Sequence, residues 1–208
     1  LPVYVRTFKW MLVVYPIDMQ ATALASPGTL GCFGNNQTVS VVVRNNGTAT
    51  IDFSVNPVTV NAAVTGPNPA TFTPVILNSG TLAAAATQTV VITTTYNMSV
   101  NGAYVFSANT AVTGDGNTAN DAMNNATVTV SRVNTFPHVE GFSAIPNPAF
   151  VVQQVSGTGN WSVTTTGNMT NPALAPALNP GFAFFNCYSF STGTTSRLIT
   201  PCYDMTTL

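Results

Sequence analysis

The stretch TVSVVVRNNGTATIDFSV, Thr38 to Val55, decides how this chain folds. Val39, Val41 and Val43 alternate with Ser40, Val42 and Arg44, the two-residue period of a strand with one face buried. Asn45-Asn46-Gly47 closes that strand, and Ile51, Phe53 and Val55 then fall on one face of a second extended run. Asn-Gly between two alternating runs is the strongest short-range hairpin signal. The spacing therefore predicts an antiparallel pair turning at Asn46-Gly47.

Downstream, the same chemistry repeats in VTVNAAVT, TPVILNSGTL, QTVVITTTYNM, NGAYVFSANTAV and NATVTVSRV, separated by Gly, Pro and Asn turn signals. About seven short strands at this spacing predict an immunoglobulin-like β-sandwich over residues 17–133. ASPGTLGCFGNNQ, upstream of the first valine run, reads as a loop. LPVYVRTFKWMLVVYP, residues 1–16, reads as a strand and connector from a preceding module. Its basic residues and the later ALA (Ala23 to Ala25) imitate a signal peptide, but Pro16 and Asp18 interrupt the short apolar run.

At NTFPHVEGFSAIPNP the regular Thr/Val alternation stops, and aromatics and prolines cluster. Three further strands are expected beyond it. One lies in NWSVTTTGN with Trp161 as a core anchor, one in GFAFFNCYSF and one in SRLITPCYDM. Three strands do not close a sandwich and leave unpaired edges, so residues 134–208 are expected to be the start of a domain.

Composition narrows the function. Of 208 residues only 5 % are charged, against about 25 % in an average soluble domain. The net charge of −1 offers no basic patch for phosphates, so nucleic acid is not an expected partner. Proton transfer near neutral pH needs several ionisable side chains acting together, and few are present. No apolar run approaches the roughly 18–20 residues that span a bilayer. The expectation is an all-β chain that is not an enzyme.

Two sets of residues carry a family resemblance. Asp18, Ser26-Pro27, Cys32 and the Val39–Thr48 run, with GDGNTAND before the last strand, resemble the CARDB-like Ig-like domains of secreted Bacteroidota proteins. FPHVEGF, Trp161, GFAFFNCYSF and SRLITPCYDMTTL are similar to the opening part of a jelly-roll domain of the MAM or cleaved-adhesin kind. The resemblance covers nearly all the chain after Tyr15. It implies a repeat-rich surface adhesin or filament exported by type IX secretion, extracellular, with gliding or attachment as its setting. Its partners would be neighbouring modules, other surface subunits or extracellular glycans. A carbohydrate-binding accessory module of a secreted hydrolase or protease is the alternative, and a fragment of such an enzyme a further one.

Candidate site residues follow. His138 and Glu140, the only histidine and the only glutamate, would share a face of an extended strand, but no motif supplies a nucleophile for a catalytic dyad. The stretch is read instead as the first strand of the second domain, with Phe136 and Phe142 docked inward. The resemblance implies a calcium role for Glu140, with Asp204 as the other acid of that domain. Asp115, Asn117, Asn120 and Asp121 place oxygens as in part of a calcium loop, without the downstream glutamate of an EF-hand. An Asx-rich turn is the favoured reading of the same residues. No cofactor is otherwise expected.

Cys187 and Cys202 flank a short segment and are expected to pair, leaving Cys32 as a small buried hydrophobe. Phe182, Phe184, Phe185, Tyr188 and Phe190 could form a sugar platform, but alternation favours core packing. Sequons at Asn36, Asn46, Asn97 and Asn160 arise readily in a chain so rich in Asn and Thr.

Overall fold

The computed structural model describes residues 14–29, 31–142, 150–164, 181–187 and 189–205. Most of the expected N-terminal connector and Tyr188 lie outside them. The strands are β1 (Met19–Ser26), β2 (Gln37–Asn45), β3 (Ile51–Asp52), β4 (Val58–Thr65), β5 (Ala70–Thr71), β6 (Val75–Leu77), β7 (Thr81–Leu82) and β8 (Thr87–Tyr96). They continue with β9 (Gly102–Val112), β10 (Ala126–Val130), β11 (Arg132–Val133), β12 (Val151–Ser156), β13 (Ser162–Thr164), β14 (Phe182–Phe184), β15 (Thr195–Ile199) and β16 (Cys202–Tyr203). No helix occurs among the described residues, so the chain is all-β.

Two compact units divide between Val130 and Ser131. In the first, one sheet has the order β1-β2-β8 and the other β10-β9-β4-β5, with β6 also pairing β4. Alternate residues of both sheets meet in one core: Val39, Val41, Val43 and Val90 against Val58, Val60, Val64, Tyr104, Phe106 and Val128. Each such side chain, once fully buried, contributes about 1.5–3 kcal/mol. This is an Ig-like sandwich whose fourth-strand equivalents, β5 and β6, pair with β4 rather than with β8.

The end of the core near β8 and β9 is aromatic. Phe72, Tyr104 and Phe106 present edge-on rings to Tyr96 at centroid distances of 5.3, 6.1 and 6.0 Å. Tyr96 donates its hydroxyl to the Asn68 carbonyl, and burial, followed by the neighbouring Tyr104, pushes its ionisation up to about 12. Tyr104, near the start of β9, donates its hydroxyl to the Val100 carbonyl four residues upstream at 2.9 Å. That is the tyrosine corner of Ig sandwiches.

The expected hairpin does not form. β2 pairs with β1 and β8, while β3 crosses to pair with β7. Tertiary partners outbid the local signal at Asn46-Gly47. The Asn46 and Gly47 N–H groups donate to the Asp18 carbonyl at 2.7 and 3.3 Å, Thr48 to Tyr15 at 2.9 Å and Ala49 to Pro16 at 3.1 Å. A Cβ on Gly47 would stand 2.3 Å from the Pro16 carbonyl oxygen, so glycine serves close approach here. Buried Asn45 holds the turn, accepting from Gly47 N–H and donating to the Ala49 and Leu82 carbonyls. Ile51 and Phe53 reach the core, but Val55 is 72 % exposed.

Two further strands depart from expectation. β1 was not expected as a strand, because Met-Gln-Ala-Thr-Ala-Leu-Ala has few β-branched residues. NATVTVSRV breaks at Ser131, and its tail becomes β11, which pairs in parallel with β16. The boundary expected after Val133 therefore lies earlier.

The described residues of the second unit form two-stranded ladders, β11-β16, β12-β15 and β13-β14. FPHVEGF is not a strand. Phe136 and Phe142 are half-buried against Tyr203 and Phe150 at centroid distances of 6.2 and 5.4 Å.

Candidate functional site

Three of the four acidic residues of the first unit, Asp18, Asp115 and Asp121, gather where the GDGNTAND loop meets the entry to β1, while Asp52 lies apart on β3 with Ser54. Asp115 accepts from the Met19 N–H at 2.9 Å with one carboxylate oxygen and from the Asn117 N–H at 2.8 Å with the other. The second bond is an Asx turn. Asn120 donates its amide to the buried Asp18 carboxylate at 3.0 Å. The Asp121 carbonyl accepts from the Ala21 and Thr110 N–H groups at 3.0 and 3.1 Å. Thr110, fully buried, donates its hydroxyl to the Met19 carbonyl at 2.9 Å. Gly116 lies flat on the Tyr15 ring, where a Cβ would come within 2.1 Å.

Asp121 carries an electrostatic penalty at this place. Burial first, then the charges of Asp115 and Asp18, raise the Asp121 carboxyl above its ordinary range. Oδ1 of Asn120 and Oδ1 of Asp121 are buried with no hydrogen-bond partner among the described residues. Such atoms are uncommon in folded proteins. Among the described residues no group of three or more His, Cys, Asp or Glu side chains is placed to hold a metal ion.

Beside this loop a groove of about 450 Å³ opens on β4 and β9. Asn61 and Asn109, directly opposite one another in register, and Ala63 opposite Ser107 lie along it. Asn125 and Asp121 complete its polar rim. The Ala122–Asn109 bridge and the bond from Met123 N–H to the Ala108 carbonyl at 3.0 Å fix the loop against the sheet. No single sequence signal marks this groove: its residues come from four separate segments and are individually ordinary.

The remaining candidates lie in the second unit. His138 Nδ1 stands 3.1 Å from the Tyr203 hydroxyl, and Glu140 accepts from the Phe142 N–H at 2.7 Å. His138 and Glu140, not expected to form a catalytic dyad, thus each have a partner of their own. Asp204 places its main-chain N–H on the Val133 carbonyl at 2.9 Å. The Cys187–Cys202 bond is not made: Cys187 is an exposed free thiol, whereas Cys202 is disulfide-bonded, as is Cys32. Nearness in sequence failed as a guide because β15 and a turn intervene, giving Cys202 its own place on β16.

Trp161 packs on Phe185 at 5.8 Å and donates its indole N–H to the Ser196 carbonyl at 3.2 Å. Phe185 also meets Phe190 at 5.2 Å, and Phe182 meets Phe184 at 6.2 Å. These rings are half-buried.

No protein-family profile matches the chain, and no curated protein matches it. Among solved structures, the CARDB domain of a Pyrococcus furiosus protein in complex with di-metal ions is 15 % identical. The match covers 61 % of this chain and 100 % of that one, with a TM-score of 0.41. A β-glucosidase from Streptomyces venezuelae in complex with D-glucose is 18 % identical over 55 % of this chain and 15 % of its own, at 0.30. Red sea bream transglutaminase is 14 % identical over 91 % of this chain and 28 % of its own, at 0.34. At these scores the likenesses carry no argument about function.

Proposed function

We propose that this chain is a non-catalytic structural and adhesive module of a secreted cell-surface protein. The observation that carries the reading is where the carboxylates are used. Asp115 and Asp18 brace the loop before β10 against the entry to β1, by bonds to Met19 N–H and to Asn120. The turn after β2 clamps Tyr15, Pro16 and Asp18 from the other side. Chain entering the sandwich is thus fixed on two sides, as a module under tension in a long surface protein requires. The finer placement rests on the motif resemblance: a Bacteroidota adhesin or filament exported by type IX secretion, with a jelly-roll domain begun at FPHVEGF.

The test is an antibody raised against residues 17–133 applied to intact cells of the source organism, with attachment measured after deletion of that segment. Surface staining and weakened attachment are expected. Staining only after permeabilisation would sink the proposal.

A carbohydrate-binding accessory role is the second reading, favoured by the amides and hydroxyls along the groove at Asn61, Ser107, Asn109 and Asn125. Such groups suit sugar hydroxyls. A glycan array gives the decision, and binding lost in Asn109→Ala would favour this reading over the first.

A further inference from the structure

An uncovered sheet edge is a row of free N–H and C=O groups, which natural proteins blunt with charge, proline, brevity or cover. The sandwich has four edges: β1, β8, β10 and the β5/β6 side of β4. β1 is met on its outer side by Asp115 and by the Asp121 carbonyl. β5 and β6 have two and three residues, with Pro67, Pro69 and Pro74 around them. β10 has only five. β8 is the exception. It runs for ten residues without a charge or a proline, and among the described residues no strand pairs with its outer side. No charged residue lies between Asp52 and Asp115.

The main chain shows which groups of β8 are on offer. Asn45 N–H donates to the Ala86 carbonyl at 3.0 Å, so Ala86 faces β2. Gln88 and Val90, in register with Val43 and Val41, face it too by the two-residue period. The N–H and C=O groups of Thr87, Thr89 and Val91 therefore point outward. Beyond Val91 the register with β2 shifts twice, and these bulges end the regular edge. The side chains of Thr87, Thr89 and Val91 are exposed on the outer face.

We propose that this edge is a self-association site, at which Thr87–Val91 pairs antiparallel with the same segment of a second copy of the chain. The two-fold axis passes beside Thr89. A second copy is the occupant that the chemistry selects. An isologous contact needs one surface only, and pairing a strand with itself sets every charge near its own like, a penalty that this uncharged strand avoids. The register follows directly. Thr89 lies opposite Thr89 of the second copy and Thr87 opposite Val91, each pair exchanging both N–H···O bonds, with Gln88 opposite Val90 on the inner face. Two three-stranded sheets become one continuous sheet, the mode of strand addition by which sheet edges recognise extended partners. The interface is narrow, so association is weak and visible at high concentration. The inference does not depend on the surface-module reading.

Sedimentation equilibrium of the full chain over a concentration series, with three variants, tests the proposal. The natural chain is expected to dimerise as concentration rises. Thr89→Pro removes an outward N–H without touching the bonds to β2, a place where a strand tolerates proline. It should weaken association at least about tenfold while circular dichroism and Tm stay near those of the natural chain. Thr89→Lys places two ammonium groups opposite one another and should also abolish pairing, whereas mixing it with Thr89→Glu should restore a heterodimer. A natural chain that stays monomeric at millimolar concentration overturns the proposal. So does a folded Thr89→Pro that dimerises unchanged, because association then uses another surface.

Discussion

Tyr104 shows how a single side chain can declare a fold. Its ring is fully buried, and its hydroxyl spans the corner between β8 and β9 to reach Val100. Tyr104→Phe keeps the ring and loses the bond, so a loss of about 1 kcal/mol is expected in denaturant unfolding. An unchanged midpoint would mean that water serves Val100 equally well. Asp121 makes an electrostatic prediction. Its carboxyl is raised, first by burial and then by Asp115 and Asp18, so the folded state holds its proton more tightly than the unfolded state does. The penalty is absent below the ordinary value of 3.8 and grows as pH rises through that value and past the raised one. Asp121→Asn is therefore expected to raise Tm at neutral pH, with the gain fading in acid. A gain that persists at low pH would assign the effect to something other than charge.

Among the elements, the legible strands are those whose own residues decide them. β2, β4, β8, β9 and β10 alternate valine, threonine and aromatic residues, and the alternation matches their buried faces. β1 escaped notice because partners far along the chain make it a strand: Asp115 to Met19 and Asp121 to Ala21. The turn after β2 misleads for the same reason. Asn46-Gly47 signals a hairpin locally, yet the close approach of Pro16 fixes its path. Gly47→Ala would force the Pro16 carbonyl aside, and a cost of about 1–3 kcal/mol is expected by thermal or denaturant unfolding. A neutral result would show that the clamp on Tyr15–Asp18 gives way easily. The candidate site was half legible. GDGNTAND announced its turn through Asp and Asn, but the groove beside it needs β4 and β9 already in register.

Across the molecule, the two units differ in how much they bury. The first closes two sheets over a common core, while the described ladders of the second are two-stranded, and among its described residues the buried side chains are Phe150 and Pro201. Two-stranded ladders are marginal alone. Native-state hydrogen exchange should therefore find its slowest amides in β2, β4 and β9, with β12 to β15 opening at lower free energy. Equal protection in both units would contradict this ordering. The stitches holding β1 also govern the order of assembly. Met19 bonds to Asp115, Asp18 to Asn120, and Thr110 back to Met19. Each joins residues separated by about ninety to a hundred positions, and closing so long a loop costs entropy before the contact repays it. On the ribosome, β1 can pair with β2 as soon as both have emerged, yet its other side waits for β9 and the loop after it. A ribosome stalled before Asp115 would therefore hold a first strand stitched along one side and bare along the other.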